Sequence, residues 1–211
     1  MFLSDVCILS KAIYFYGVMK SSKTAQLLTM NYNYHKHNVN PVIVKPALDT
    51  RRTMVTSRLG LRAKADIIVD TKSDKQFTAE KEIITLAEKD NSKVVLVDEA
   101  QFMTSEFIKL LADDCKLNGI DLYGFGLLKD FRNKLFTGAV TWLECVDSIR
   151  EVKTTCELCN HKATCNALED DKGNLVPETF SQGSNTHIGD SEYHVYCQYH
   201  MLQKVRKCVN E

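Results

Sequence analysis

Four consecutive apolar residues, Val94-Val95-Leu96-Val97, run without a break into the adjacent carboxylates of Asp98 and Glu99. Three of the four are β-branched, which suits a strand covered on both faces, and such strands belong to parallel sheets with helices packed above and below. Sheets of that kind open their carboxyl ends onto a ligand crevice. A chain built around this segment is committed to an α/β layer with two acids at its working edge. The competing reading, a strand ending in a solvated acidic turn, gives way only if a phosphate-binding loop occurs elsewhere in the chain.

Such a loop is present. Ile13-Tyr14-Phe15-Tyr16 forms a candidate strand, and Gly17-Val18-Met19-Lys20-Ser21-Ser22-Lys23-Thr24 follows it and opens a helix predicted over 24–37. Strand, loop, helix is the setting in which the G-x-x-x-x-G-K-[ST] pattern carries meaning. Ser22 departs from it, placing a Cβ where the second glycine normally allows a tight turn. Lys23 remains to neutralise β/γ-phosphate charge and Thr24 to offer its hydroxyl to Mg²⁺, while the helix N-terminus favours an anion. Taken alone, the loop reads equally well as a polar helix cap. Asp98 breaks the tie, because a magnesium–nucleotide site needs a carboxylate at the end of a neighbouring buried strand. Glu99 points to the other side, where it can take a proton from an acceptor hydroxyl, and an acceptor alcohol implies a kinase.

The remaining pattern alternates. A strand over 41–45 stops before Pro46, residues 47–63 read as irregular, and a short strand over 65–69 precedes a helix over 78–89. Beyond the acidic strand come a helix over 105–117 and a strand over 119–125. The expectation is an α/β fold: a P-loop doubly wound, mainly parallel sheet over 13–150, behind an N-terminal extension over 1–12. After Arg150, Cys, Gly, Asn and Ser punctuate short segments and periodicity fades, so 151–211 reads as a small C-terminal zinc-binding domain.

With 211 residues the chain needs no covalent staples to hold a core. Its 27 basic and 27 acidic residues balance, which argues against a nucleic-acid or membrane-surface partner and for a small one. No apolar run approaches the roughly 18 residues of a membrane span. Of eight cysteines, most are scattered, while Cys156, Cys159 and Cys197 are grouped with His200. That usage fits a reducing, cytoplasmic setting better than a disulfide framework. Cys156-x-x-Cys159 and Cys197-x-x-His200 are two half-sites with the spacing that lets each turn grip one tetrahedral ion. Four protein ligands leave no open position, so the ion is expected to be one structural Zn²⁺; a metal-free cysteine cluster is the alternative.

In order along the chain stand Gly17-x-Met19-x-x-x-Lys23-Thr24, Lys45-Pro-Ala-Leu-Asp49-Thr-Arg51, Ser57-Arg58-Leu-Gly60 and Asp98-Glu-Ala-Gln-Phe102. Asp130-Phe131-Arg132, the cysteine pairs and Ile188-Gly189-Asp190 with Tyr193 follow. This series resembles the thymidine kinases shared by many bacteria, tailed phages and animal cytosol, the short Ile-Gly-Asp form being most like the phage members. The resemblance implies transfer of the γ-phosphoryl group of Mg²⁺-ATP to the 5′-hydroxyl of thymidine, with Glu99 as base and Thr24 and Asp98 serving the magnesium. Residues 17–24, Asp98 to Gln101 (through Ala100), Asp49 and Arg51 would meet ATP. Met19, Phe102, Leu127, Phe131, Phe136, Thr186, Gly189 and Tyr193 would enclose the nucleoside. Relatives close a segment called the lasso over the base, here around 186–193, and assemble as homotetramers. Three departures stand out: Ser22 for glycine, Leu128 for a common Arg, and Asn166 where Thr usually meets the base.

Other functions are compatible with parts of the pattern. A kinase for another deoxypyrimidine nucleoside would use the same side chains, and Ser22 suits a nucleotide-binding homologue with weakened turnover. A zinc-dependent nucleic-acid module would need a basic stripe that the balanced charge does not supply.

Overall fold

The computed structural model describes residues 10–47, 53–89, 92–176 and 192–210. Its centre is a six-stranded sheet in the order β5-β2-β6-β7-β1-β8, parallel throughout. The strands are β1 (Ala12–Tyr16), β2 (Val42–Pro46), β5 (Ile67–Val69), β6 (Val94–Val97), β7 (Asp121–Gly126) and β8 (Ser148–Glu151). All four residues of β6 are buried, as a strand flanked on both sides and covered on both faces requires.

Strand alternation sorts the core into two layers. Ala12, Tyr14, Val42, Val44, Val95, Val97 and Leu122 face three helices: α2 (Lys75–Lys89), α3 (Ser105–Leu117) and α4 (Thr137–Cys145). Their neighbours Ile13, Phe15, Ile43, Val94, Leu96, Tyr123 and Phe125 face Leu27 and Leu28 of α1 (Lys23–Lys36) on the opposite side. Helices therefore cover both faces, and the α/β sheet expected from the sequence is the observed one. No described helix is long and apolar enough to cross a membrane.

Three differences from the sequence expectation have physical reasons. The region 47–63 was expected to be irregular, yet β3 (Met54–Thr56) and β4 (Arg62–Lys64) pair as an antiparallel hairpin. Strands of three residues are too short to show a period of two. Helix α4 and strand β8 had no counterpart in the pattern. α4 starts behind Phe136, whose side chain makes no cap, and it is held by Trp142, which stacks on Tyr14 at 5.6 Å and donates its indole N–H to Ala100 O at 3.0 Å. β8 is an exposed edge strand fixed to β1 by backbone pairing and by Arg150 lying over the Phe15 ring at 5.8 Å. The extension over 1–12 falls mostly outside the described residues, and β1 already begins at Ala12.

The C-terminal part is built on β9 (Cys165–Glu169) and β10 (Glu192–Tyr196), antiparallel and in register from Glu192 with Glu169 to Tyr196 with Cys165. Helix α5 (Gln198–Asn210) follows and packs on both strands. Cys156, Cys165, Ala167, Tyr196, Cys197 and Met201 form its small core.

Candidate active site and metal centre

Because the sheet is parallel, β1 and β6 deliver their following segments to the same edge. Gly17 leaves β1 in a place no other residue fits: a Cβ there would lie 2.4 Å from Val152 O and 2.6 Å from Ser21 Oγ. The loop then turns through two non-glycine residues in the left-handed region, Lys20 at φ 60° and Ser22 at φ 63°. Ser22 is the N-cap residue of α1 and its hydroxyl makes no capping hydrogen bond. Lys23 Nζ donates back into the loop, to Val18 O at 2.8 Å, Ser21 Oγ at 3.2 Å and Gly17 O at 3.3 Å. Withdrawal from solvent lowers the Lys23 ammonium to about 8, against the pull of Glu99 and Asp98.

The two motifs meet where Thr24 Oγ1 donates to Asp98 Oδ1 at 3.1 Å. Burial first, then the neighbouring Glu99 charge, raises the Asp98 carboxyl to about 7, with Thr24 and Lys45 opposing. These two oxygens on adjoining elements are the hard donors that a Mg²⁺ ion takes, and a cation there would offset the cost of ionising a buried acid. Glu99 takes a left-handed turn, φ 49°, which breaks the strand direction and swings its carboxylate into the crevice. Behind it, the short 3-10 turn Ala100–Phe102 carries Gln101, 2 % exposed. Gln101 Nε2 donates to Glu99 Oε2 at 2.8 Å while its Oε1 accepts from Leu127 N at 2.9 Å.

A cavity of about 540 Å³ joins these elements. Lys20 to Thr24 line its phosphate-loop end, Glu99 stands in its wall, and Met19, Phe102, Leu127, Phe131, Phe136 and Tyr193 line the rest. Phe102 meets Phe136 edge-on at 5.4 Å and Phe131 meets Tyr193 at 6.3 Å. All six residues named from the sequence as enclosing a nucleoside and described in the structure thus share one chamber. Gly17 and Val18 lie instead beside a smaller hollow of about 210 Å³. Ala100 and Gln101 are fully buried behind the wall. Asp49, Arg51, Thr186 and Gly189 lie outside the described residues.

The cavity also has walls beyond those six, including Asn166, which stands where the family resemblance implies a contact with the base. Thr56, Ser57, Arg58 and Leu59 from the β3–β4 hairpin line it, as do Asp130 and Asn166. The Ser57-Arg58-Leu-Gly60 run was visible as a motif, but nothing in its spacing shows that the hairpin folds over the loop. Asp130 is buried under Arg132, with Oδ2 to Nη2 at 2.7 Å, and its Oδ1 caps Arg132 N and Lys134 N. That closes the turn presenting Phe131. Asn166 Oδ1 accepts from Met19 N at 2.8 Å and its Nδ2 donates to Lys129 O at 2.7 Å, so both ends of the amide are oriented by their partners.

The ligand atoms of Cys156, Cys159, Cys197 and His200 all lie within 4.8 Å of one another. Cys156 Sγ and Cys197 Sγ are 3.4 and 3.3 Å from His200 Nδ1, and Cys159 Sγ is 3.8 Å from Cys197 Sγ. A tetrahedral zinc with its usual bond lengths requires edges of about 3.5–3.8 Å, so this cluster can hold a metal ion with little adjustment. Burial works against ionising Cys156, but the Cys197 and Leu158 amides and the His200 and Cys159 side chains outweigh it and bring the thiol down to about 6. His161 Nδ1 sits 3.5 Å from Cys159 Sγ, at the rim of the cluster.

Residues 11–201 match the thymidine kinase family model. The thymidine kinase of Enterobacteria phage T4 is 32 % identical over 201 residues, covering 94 % of this chain and 99 % of its own length. That of Lactobacillus acidophilus is 35 % identical over 189 residues, 88 % and 92 % of the two chains. That of Mannheimia succiniciproducens is 30 % identical over 205 residues, 96 % and 100 %. With the phosphate loop, acidic strand and Cys3His cluster inside the matched span, the chain belongs to the thymidine kinase family, a family of transferases.

Proposed function

We propose that this chain transfers the γ-phosphoryl group of Mg²⁺-ATP to the 5′-hydroxyl of thymidine, giving dTMP and ADP in cytoplasmic nucleotide salvage. The observation that carries the reading is the position of Glu99, whose carboxylate stands in the wall of a chamber that is a phosphate loop at one end and aromatic at the other. A nucleoside in the aromatic end would bring its 5′-oxygen toward both Glu99 and the terminal phosphate. Glu99 takes the hydroxyl proton, the oxygen forms its bond to the γ-phosphorus, and the bond from that phosphorus to the β-bridging oxygen breaks, releasing ADP. Lys23 and the α1 N-terminus would steady the phosphate charge, and Gln101 keeps Glu99 oriented from behind. Magnesium held by Thr24 and Asp98 would supply charge neutralisation on the transferring group.

Cys156, Cys159, Cys197 and His200 would hold one structural zinc, closing the chain between β9 and β10 into the lasso. A homotetramer is the assembly in keeping with the family resemblance. Ser22 favours a second reading, a nucleotide-binding homologue with slow turnover, because its left-handed backbone lacks the glycine that makes such a turn easy. Transfer of labelled phosphate from ATP to thymidine by the purified protein, with elemental analysis of the same sample, tests the proposal. Turnover with one zinc per chain is expected. ATP binding without turnover would favour the second reading, and transfer to a different deoxypyrimidine would reassign the substrate.

A further inference from the structure

Two residues of the phosphate loop are gripped from the far side of the cavity by the C-terminal part of the chain. Met19 N–H is taken by Asn166 of β9 at 2.8 Å, and the Lys20 ammonium by Glu157 Oε1 at 2.6 Å. Glu157 lies between the metal-cluster residues Cys156 and Cys159, and it is itself held by β10. Its Oε2 is 2.6 Å from His194 Nδ1, and Val195 N donates to Oε1 at 3.3 Å. The Lys20 and Glu157 side chains are 33 % and 29 % exposed, so the pair is withdrawn from solvent more than most surface pairs.

The connectivity is specific. Tyr193 and Met19 both line the cavity. The residues following them, His194 and Lys20, meet through Glu157, with Lys20 itself at the cavity's phosphate-loop end. Lys20 also holds a left-handed backbone at φ 60° that a lysine does not adopt for free, and such a conformation persists where surroundings over-determine it. The side of the chamber that Tyr193 closes and the loop that would cradle phosphate thus share one rigid connection.

Building on the function proposed above, we infer that Lys20 and Glu157 are positioning residues. Their ion pair, seated on His194 and Val195, links the phosphate loop to the strand bearing Tyr193, so that nucleoside and nucleotide each favour the other's binding. Ordering Tyr193 around a nucleoside fixes His194 and Glu157, which fixes Lys20 and the shape of the loop. By linkage the effect is reciprocal.

The test is calorimetric binding of a non-hydrolysable ATP analogue with Mg²⁺ to the full zinc-loaded chain, with and without saturating thymidine. Thymidine is expected to tighten the analogue about fivefold or more in the unaltered protein. Lys20→Met and Glu157→Gln should each cut that ratio to about twofold or less, the double variant should fall no further, and Lys20→Arg should restore most of it. Zinc content and circular dichroism show whether each variant remains folded, and Lys20→Met alone carries the test if Glu157→Gln loses zinc. A ratio near one in the unaltered protein, or an unchanged ratio in both variants, overturns the inference while both ligands still bind. Lys20→Met weakening the analogue equally with and without thymidine also overturns it, by making Lys20 a direct phosphate ligand. Failure of either ligand to bind the unaltered protein defeats the functional proposal itself, and the inference with it.

Discussion

Gln101 and Glu99 are joined at 2.8 Å by a hydrogen bond from the amide nitrogen to the carboxylate, across a backbone that has turned left-handed between strand and 3-10 turn. The amide's other end accepts from Leu127 N, so a single buried side chain ties the proposed base to a residue lining the proposed nucleoside end of the chamber. Backbone strain at Glu99 and the buried polar group at Gln101 are both costly features, and they occur together where a carboxylate must be aimed rather than solvated.

Glu99→Gln keeps the shape and can still accept from Gln101, yet cannot take the 5′-hydroxyl proton. The expected outcome is a loss of about 10²- to 10⁴-fold in transfer rate with nucleotide affinity retained. Single-turnover measurement with ATP and thymidine checks it; a near-normal rate would leave positioning and the metal as the main sources of catalysis.

Gly126→Ala probes the same anchor from beneath. A Cβ at this position would stand 2.5 Å from Gln101 Oε1 and 2.6 Å from the Tyr14 hydroxyl, and neither buried neighbour has room to move. Tyr14 is also committed, since its hydroxyl donates to Leu127 O at 2.8 Å. Overpacking should cost about 1–3 kcal/mol, and displacement of Glu99 should lower kcat by about ten- to a hundredfold. Urea denaturation and steady-state kinetics on one preparation separate the two effects; full activity in a destabilised variant would mean that Glu99 needs no support from Gln101.

What the sequence made legible follows from how locally each feature is encoded. The β6 run, the phosphate loop and the cysteine pairs are contiguous signals, and they located the sheet's working edge and the metal cluster. Ser57 and Arg58 were invisible as cavity walls because their position depends on how the β3–β4 hairpin folds over the loop, and Asn166 was legible through the family resemblance alone. Helix α4 was missed for a related reason: Trp142 holds it through contacts with Tyr14 and Ala100, far away in sequence. Lys20 and Glu157 are 137 positions apart, and nothing in the sequence pairs a phosphate-loop lysine with the acid that follows Cys156.

Glu80 gives a prediction on pH. It lies on α2, 2 % exposed, and shares a hydrogen bond with Asp114 of α3. Burial, then Asp114, raises its carboxyl from the ordinary 4.5 to about 7. The folded chain thus keeps a proton that the unfolded chain releases, so this group's contribution to stability declines as pH climbs from about 4.5 to 7 and is lost above that. Glu80→Gln keeps a donor to Asp114 without needing the proton. It should flatten the profile and add on the order of 1 kcal/mol near pH 8, as read by denaturation at pH 5 and pH 8. An equal change at both values would show that Glu80 does not titrate in this window.

Ser22→Gly tests the departure in the phosphate loop. Ser22 sits at φ 63° and ψ 25° with no capping hydrogen bond from its side chain, so nothing local offsets the steric cost of its Cβ. That cost is roughly 1–2 kcal/mol for an L-residue in the left-handed region, and glycine removes it, although glycine also gives the unfolded chain more freedom to lose. The net expectation is a gain of up to about 1 kcal/mol in stability and a several-fold tightening of ATP, with thymidine affinity nearly unchanged because Ser22 belongs to the phosphate-loop end of the chamber. Titration of both ligands into the two proteins decides the matter. Equal or weaker ATP binding by the glycine variant would mean that the Ser22 hydroxyl contributes a phosphate contact worth as much as the strain it costs, and that the substitution is accommodated by the nucleotide itself.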